Sequence, residues 1–101
     1  MILEVAVLNV ISDKLDEFES SFCTAQKIIS SMKGYKWHQL QKCVEISNQY
    51  ILLVQWETLE DHTIGFRQSD EYQEWKKLLH HFYDPFPTVE HYRMTTPILQ
   101  G

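Results

Sequence analysis

Apolar positions along the chain follow two different periods, and their order predicts the elements. Residues 2–11, ILEVAVLNVI, alternate as a strand. One face carries Leu3, Val5, Val7, Asn9 and Ile11; the other carries Ile2, Glu4, Ala6, Leu8 and Val10. Asn9 is the polar exception on the first face and Glu4 on the second. From about 13 to 32 the period changes. Leu15, Phe18, Phe22, Ala25, Ile29 and Met32 recur at steps of three and four, which is the stripe of an amphipathic helix. Ser12 is placed to cap it, with Asp13, Asp16 and Glu17 at the positive end of the helix dipole. Gly34 is the expected stop.

A second strand is predicted over 35–45, YKWHQLQKCVE. Tyr35, Trp37, Gln39, Gln41 and Cys43 share one face, and Lys36, His38, Leu40, Lys42 and Val44 the other. A connection of hairpin length, Ile46 to Gln49, leads to YILLVQWE. Tyr50, Leu52, Val54 and Trp56 point one way, and Ile51 and Leu53 the other, so this third strand has to be covered on both sides. Thr58 with Asp61 resembles a capping box opening a short helix, about 59–67. Ser69, Asp70 and Glu71 open another, about 70–82, with Tyr72, Trp75, Leu79 and Phe82 as its buried stripe. Asp84-Pro85-Phe86-Pro87 breaks that helix and launches a fourth strand, 88–94.

Two βαβ halves in this order build an α+β, ferredoxin-like, four-stranded antiparallel sheet with helices on one face. The first and third strands are apolar on both faces, so the uncovered face would be a large apolar patch. A second copy related by two-fold symmetry is the simplest cover, and a homodimer is expected.

Composition narrows the partners. The 101 residues suit one domain, read as 2–93 with a tail of 94–101; 44% are hydrophobic, which supports a core. A net charge of −5 argues against nucleic acid and anionic membranes. Cys23 and Cys43 do not make a disulfide framework and are expected as reduced, half-buried thiols. No signal-peptide pattern and no apolar run of about 20 residues occurs, so a cytoplasmic protein is expected. No HxxxH, HExxH or glycine-rich phosphate loop occurs, and His80-His81 are adjacent and point to different helix faces, so no metal site is expected.

The element order, Asn9 in the first strand, YILLVQWE followed by TLEDHTIGFRQSDEYQEW, and LLHHFYDPFPTVEHY near the end resemble the antibiotic biosynthesis monooxygenase family, the small dimeric α+β-barrel proteins. The likeness covers roughly residues 2–93. It implies the fold and the dimer, and it admits cofactor-free oxygenation of an electron-rich phenol, quinol or anthrone. Without metal or flavin the substrate itself must supply the electrons to oxygen. The protein then supplies a base, donors for an oxyanion and a dry aromatic cavity.

The resemblance puts the short helix beside that cavity and makes His62 the candidate base, since histidine titrates at about 6.5. Asn9 would hold the oxyanion and Tyr72 would donate to substrate. Phe66, Trp75 and His81 would line the pocket. Plainer roles stand beside these: His62 bonding a backbone carbonyl, His80 and His81 complementing a helix end, His38 and His91 as interface histidines, and the tryptophans as core. Haem degradation, another activity in the family, fits less well, because the positions of its tryptophan and its iron-ligating histidine hold Phe66 and Lys76. A dimer that binds an aromatic metabolite without turnover is the remaining reading.

Overall fold

The computed structural model describes residues 1–96 of the chain. Four strands and two principal helices follow the expected order. They are β1 (Ile2–Asn9), α1 (Leu15–Ile29), β2 (Tyr35–Lys42), β3 (Gln49–Trp56), a π-helical turn (Asp61–Phe66), α2 (Asp70–Leu79) and β4 (Val89–Tyr92). The strands form one antiparallel sheet in the order β2-β3-β1-β4. This is the α+β ferredoxin-like arrangement expected from the element order, with the helices on one face. Pro97 to Gly101, most of the predicted tail, lie outside the described residues.

Alternation decides what each face carries. Ile2, Glu4, Ala6 and Leu8 of β1, and Tyr50, Leu52, Val54 and Trp56 of β3, are buried under the helices. Phe18, Phe22, Ala25 and Ile29 of α1 meet them, with Trp75 and Leu79 from α2. Phe18 is the hub of an aromatic cluster, with ring centroids 4.9 Å from Tyr50 and 5.8 Å from Phe82. The opposite face presents Leu3, Val5 and Val7 beside Ile51 and Leu53, with Trp37 and Tyr92 on the flanking strands. None of these seven is buried, and Val7, Trp37 and Tyr92 are 41%, 41% and 53% exposed.

Five local expectations need correction. Ser12 does not cap α1: the chain makes a 3-10 turn over Ser12–Lys14, and α1 begins without a side-chain cap. The helix also ends at Ile29, short of Met32. Ser30 Oγ and Ser31 Oγ bond back to the carbonyls of Lys27 and Ile28, which competes with continuation of the helix. The face assigned to Tyr35 is wrong. A bulge between Tyr35 and Trp37 absorbs one residue, so Tyr35 joins His38 on the helix side and packs edge-on against Trp56. Cys23 is exposed rather than half-buried, because it lies on the outer side of α1. His38 does not stand on the bare sheet face, where an interface histidine was expected. It lies on the helix side, bonded to Tyr35 Oη and Gln26 Oε1 at 2.5 and 2.9 Å.

Gly34 ends the α1–β2 connection with φ +85°, and a Cβ there would collide with the Asp61 carboxylate. The expected box is present: Asp61 N–H donates to Thr58 Oγ1 at 3.1 Å and Thr58 N–H to Asp61 Oδ2 at 3.2 Å. Ser69 Oγ likewise accepts from Tyr72 N–H at the start of α2. Gly34→Ala therefore combines a left-handed backbone cost of about 1–2 kcal/mol with displacement of the Asp61 cap. Chemical denaturation should show a loss of at least about 1 kcal/mol, and equal stability would mean that the capped turn does not depend on this close approach.

Candidate active site

Between the sheet and the helical layer lies a cavity of about 410 Å³, within the range of small-molecule sites. Ala6, Leu8, Leu52 and Val89 form its floor on the sheet. Phe66 and Trp75 wall one side, with centroids 5.7 Å apart, and Phe86 and Pro87 stand on the loop before β4. The polar groups in the lining are Glu4, His62, Arg67, Tyr72, His80 and Tyr83.

Glu4 is the unusual member. Strand alternation forces it into the buried row between Ile2 and Ala6, and it is 5% exposed. A buried carboxyl requires donors, and two aromatic residues supply them. Trp56 Nε1–H donates to Glu4 Oε1 at 2.9 Å, and His62 Nε2 lies 3.3 Å from the same oxygen. The His62 ring stacks on Trp56, with centroids 5.4 Å apart and planes at 17°. Its other nitrogen, Nδ1, lies 2.7 Å from Nε2 of His91, which sits opposite Glu4 on β4. His62 reaches this position from a π-helical turn, a local geometry frequent at functional sites.

Electrostatics follows from burial. Loss of solvent pushes the Glu4 carboxyl up to about 7; the Trp56 hydrogen bond and the Arg67 charge oppose the rise. Burial, then Arg67, then His91 push His62 down to about 3, so its imidazole is neutral. Near neutral pH the charge-changing member of this pair is the carboxyl, and a carboxyl poised there suits general-base work. Burial also raises the Tyr72 and Tyr83 phenols and keeps them protonated as donors. Burial lowers His80, with Lys76 adding to the effect. Arg67 is exposed, and its charge acts on Glu4, His62, Tyr72 and His91.

Of the residues singled out from the sequence, His62, Phe66, Tyr72 and Trp75 line this cavity. Asn9 does not. It falls on the opposite parity of β1 and outside the lining, and its backbone carbonyl accepts from Asp84 N–H at 2.8 Å. His81 is exposed and outside the lining; α2 tightens into a 3-10 turn over His80–Phe82, and His80 takes the cavity position. His91 is likewise not on the bare sheet face, since it shares the helix-side row with Glu4. Glu4, Arg67, His80 and Tyr83 were not foreseen as site residues. Only Glu4 left a mark in the sequence, as the lone charge in an apolar strand row. Among the described residues no group of three or more His, Cys, Asp or Glu side chains is arranged to hold a metal ion.

The model of the family described as antibiotic biosynthesis monooxygenase matches residues 1–78. The chain belongs to that family. An uncharacterised Bacillus subtilis protein, YczJ, is 59% identical over 93 residues, which cover 92% of this chain and 98% of YczJ. A crystal structure of a candidate antibiotic biosynthesis monooxygenase from Bordetella bronchiseptica superposes with a TM-score of 0.89 at 30% identity, covering 94% of this chain and 97% of that one. SnoaB, a cofactor-independent oxygenase from Streptomyces nogalater, superposes with a TM-score of 0.66 at 19% identity, covering 97% and 94%. A Streptomyces coelicolor monooxygenase solved with the ligand nanaomycin D gives 0.81 at 14%, covering 99% and 92%. The last two share the fold with this chain. No helix of the described residues is long and apolar enough to cross a membrane.

The two shifts in the site oppose one another in their effect on stability. Glu4 binds its proton more tightly folded than unfolded, so its contribution falls as pH rises from about 4.5 to about 7. His62 binds its proton less tightly when folded, so its contribution is lost as pH falls from about 6.5 to about 3. Glu4→Gln keeps a donor and an acceptor in place but removes the first effect. Relative to the wild type, the variant should gain stability between pH 4.5 and 7, on the order of 1–3 kcal/mol. Parallel denaturation curves across that window would mean that Glu4 titrates normally.

Proposed function

We propose that the protein is a cytoplasmic, homodimeric, cofactor-independent oxygenase of an electron-rich aromatic compound, of phenol, hydroquinone or anthrone type. The observation that carries this reading is the buried Glu4–His62 pair opening into an aromatic cavity. The Glu4 carboxylate, oriented by Trp56 and His62, takes a proton from the bound substrate. Tyr72 donates a hydrogen bond to the oxyanion that forms, and Phe66 and Trp75 hold the ring and exclude water. The resulting carbanion or phenolate supplies the electrons to dioxygen. For an anthrone-type substrate, one ring methylene and one dioxygen molecule give one ring carbonyl and one water. One oxygen atom enters the product, and the other leaves as water with the two hydrogens removed from the methylene carbon.

Oxygen consumption by metal-stripped protein against anthrones, naphthols and hydroquinones tests this reading. Uptake should exceed the protein-free rate, rise with pH through a single inflection near 7, and fall at least about 100-fold in Glu4→Gln, in line with the loss of a general base. Thermal stabilisation by one of these compounds without oxygen uptake would instead identify an aromatic-metabolite-binding dimer.

The dimer is supported by the apolar face built from Val5, Val7, Ile51 and Leu53. Light scattering at micromolar concentration should give twice the 12.1 kDa chain mass. Leu53→Lys, which places a charge opposite Val5 on that face, should give the monomer mass; a wild-type monomer would overturn the assembly.

A further inference from the structure

Glu4, His62 and His91 form a continuous hydrogen-bonded chain from the buried cavity wall to β4, the edge strand of the sheet. His62 uses both ring nitrogens in it, Nε2 toward Glu4 and Nδ1 toward His91. His91 is half-buried, in contrast to the other two residues. A neutral imidazole carries one N–H, so it donates at one nitrogen and accepts at the other. With both rings neutral, only two arrangements satisfy every contact in the chain. With Glu4 ionised, His62 Nε2–H donates to the carboxylate and His91 Nε2–H donates to His62 Nδ1. With Glu4 protonated, its O–H donates to His62 Nε2, His62 Nδ1–H donates to His91 Nε2, and His91 carries its hydrogen on Nδ1.

We propose that Glu4, His62 and His91 are a proton relay that joins the buried carboxyl to solvent, with both histidines exchanging tautomers as Glu4 gains or loses its proton. The two arrangements differ by one proton. To load Glu4, a solvent proton binds His91 Nδ1. The hydrogen on His91 Nε2 passes to His62 Nδ1, and that on His62 Nε2 passes to the Glu4 carboxylate. Every hydrogen bond is then reversed and no ring retains a charge. The reverse sequence releases one proton from His91 Nδ1 and leaves the carboxylate ready to act as a base. His91 thereby becomes a positioning residue that acts through His62.

The surroundings favour neutral relays over charged ones. Burial, and after it the charge of Arg67 just beyond the π-helical turn, lower both His62 and His91. Tyr72 from α2 and Tyr83 and His80 from the segment after it line the cavity and remain neutral near pH 7. No titratable side chain of α1 or β3 lines it. The charge on the chain is therefore set by Glu4, and the relay serves a base that would otherwise exchange protons only through the cavity.

The relay's use in turnover rests on the oxygenase reading, but its existence does not, and the test needs no substrate. Protein labelled with nitrogen-15 in its histidine rings is followed by NMR from about pH 5 to about pH 9, which brackets the Glu4 titration. The protonated nitrogen of His62 should change from Nδ1 at low pH to Nε2 at high pH. His91 should change with it, at the same midpoint, and neither ring should show the imidazolium pattern at that midpoint. In Glu4→Gln both inversions should be lost, with His62 held as the Nε2–H form, because the amide oxygen that accepts from Trp56 Nε1–H is the atom that faces His62 Nε2. Should that variant fail to fold, the wild-type titration decides by itself. A His62 that keeps one tautomer throughout, that becomes imidazolium, or that inverts without His91 overturns the relay, whatever the oxygen-uptake panel shows.

Discussion

One carboxyl group placed in an apolar strand row constrains this protein more than any other feature. Glu4 cannot leave the helix side of β1 without moving Ile2, Ala6 and Leu8 to the other face, since strand alternation has a period of two. It must therefore be satisfied where it lies. The indole of Trp56 and the imidazole of His62 do so, and each is positioned by further contacts. Trp56 ends β3 and packs against Tyr35 across the bulge. His62 stands on a turn opened by the Thr58–Asp61 box, which nests against Gly34 where a side chain would not fit. Glu57 N–H closes the same corner on the Gly34 carbonyl at 2.7 Å. A single buried acid thus ties together the ends of two strands, a loop glycine and a π-helical turn.

The same sheet carries two kinds of surface. Its helix side carries Glu4, His62 and His91 beside the cavity, and His38 bonded to Gln26 further along, among aliphatic and aromatic groups. A cavity of this composition weakens solvation of a charge and strengthens the hydrogen bonds made to it. The outer side presents Val5, Val7, Ile51 and Leu53, flanked on β2 by the hydrogen-bonded pair Gln39 and Gln41. The polar cavity and the exposed apolar patch therefore occupy opposite faces of one sheet, and a substitution on one face need not reach the other.

Arg67 gives the site its polarity. The chain as a whole is acidic, with a net charge of −5, yet this cation stands at the cavity beside the buried acid. It favours the carboxylate form of Glu4 and disfavours a second proton on His62 and on His91. Burial pulls Glu4 the other way. The balance places its proton affinity near neutrality, where a base both ionises and regains its proton readily.

Much of the fold was legible in the sequence because local periodicity and capping chemistry act over a few residues. The alternation in ILEVAVLNVI and YILLVQWE, the stripe from Leu15 to Ile29, and the Thr58–Asp61 and Ser69 caps all predict elements that are present. The same pattern showed that the sheet has two apolar faces, and family resemblance placed His62, Phe66, Tyr72 and Trp75 near one another. What it left undecided depended on phase and distance. Strand alternation separates Asn9 from Leu8 but does not say which of them the helices cover. Nor can a spacing of 87 residues between Glu4 and His91 announce a cross-strand pair. A one-residue bulge moved Tyr35 to the other face, and a tightened last turn gave His80 the place expected of His81. Sequence alone determined the elements, their order and the need for cover on both sides, because those follow from short-range pattern. Tertiary structure alone decided that the polar exception on the covered face was Glu4 rather than Asn9, because burial, and with it the shift of an acid toward neutrality, exists only once the layers have packed.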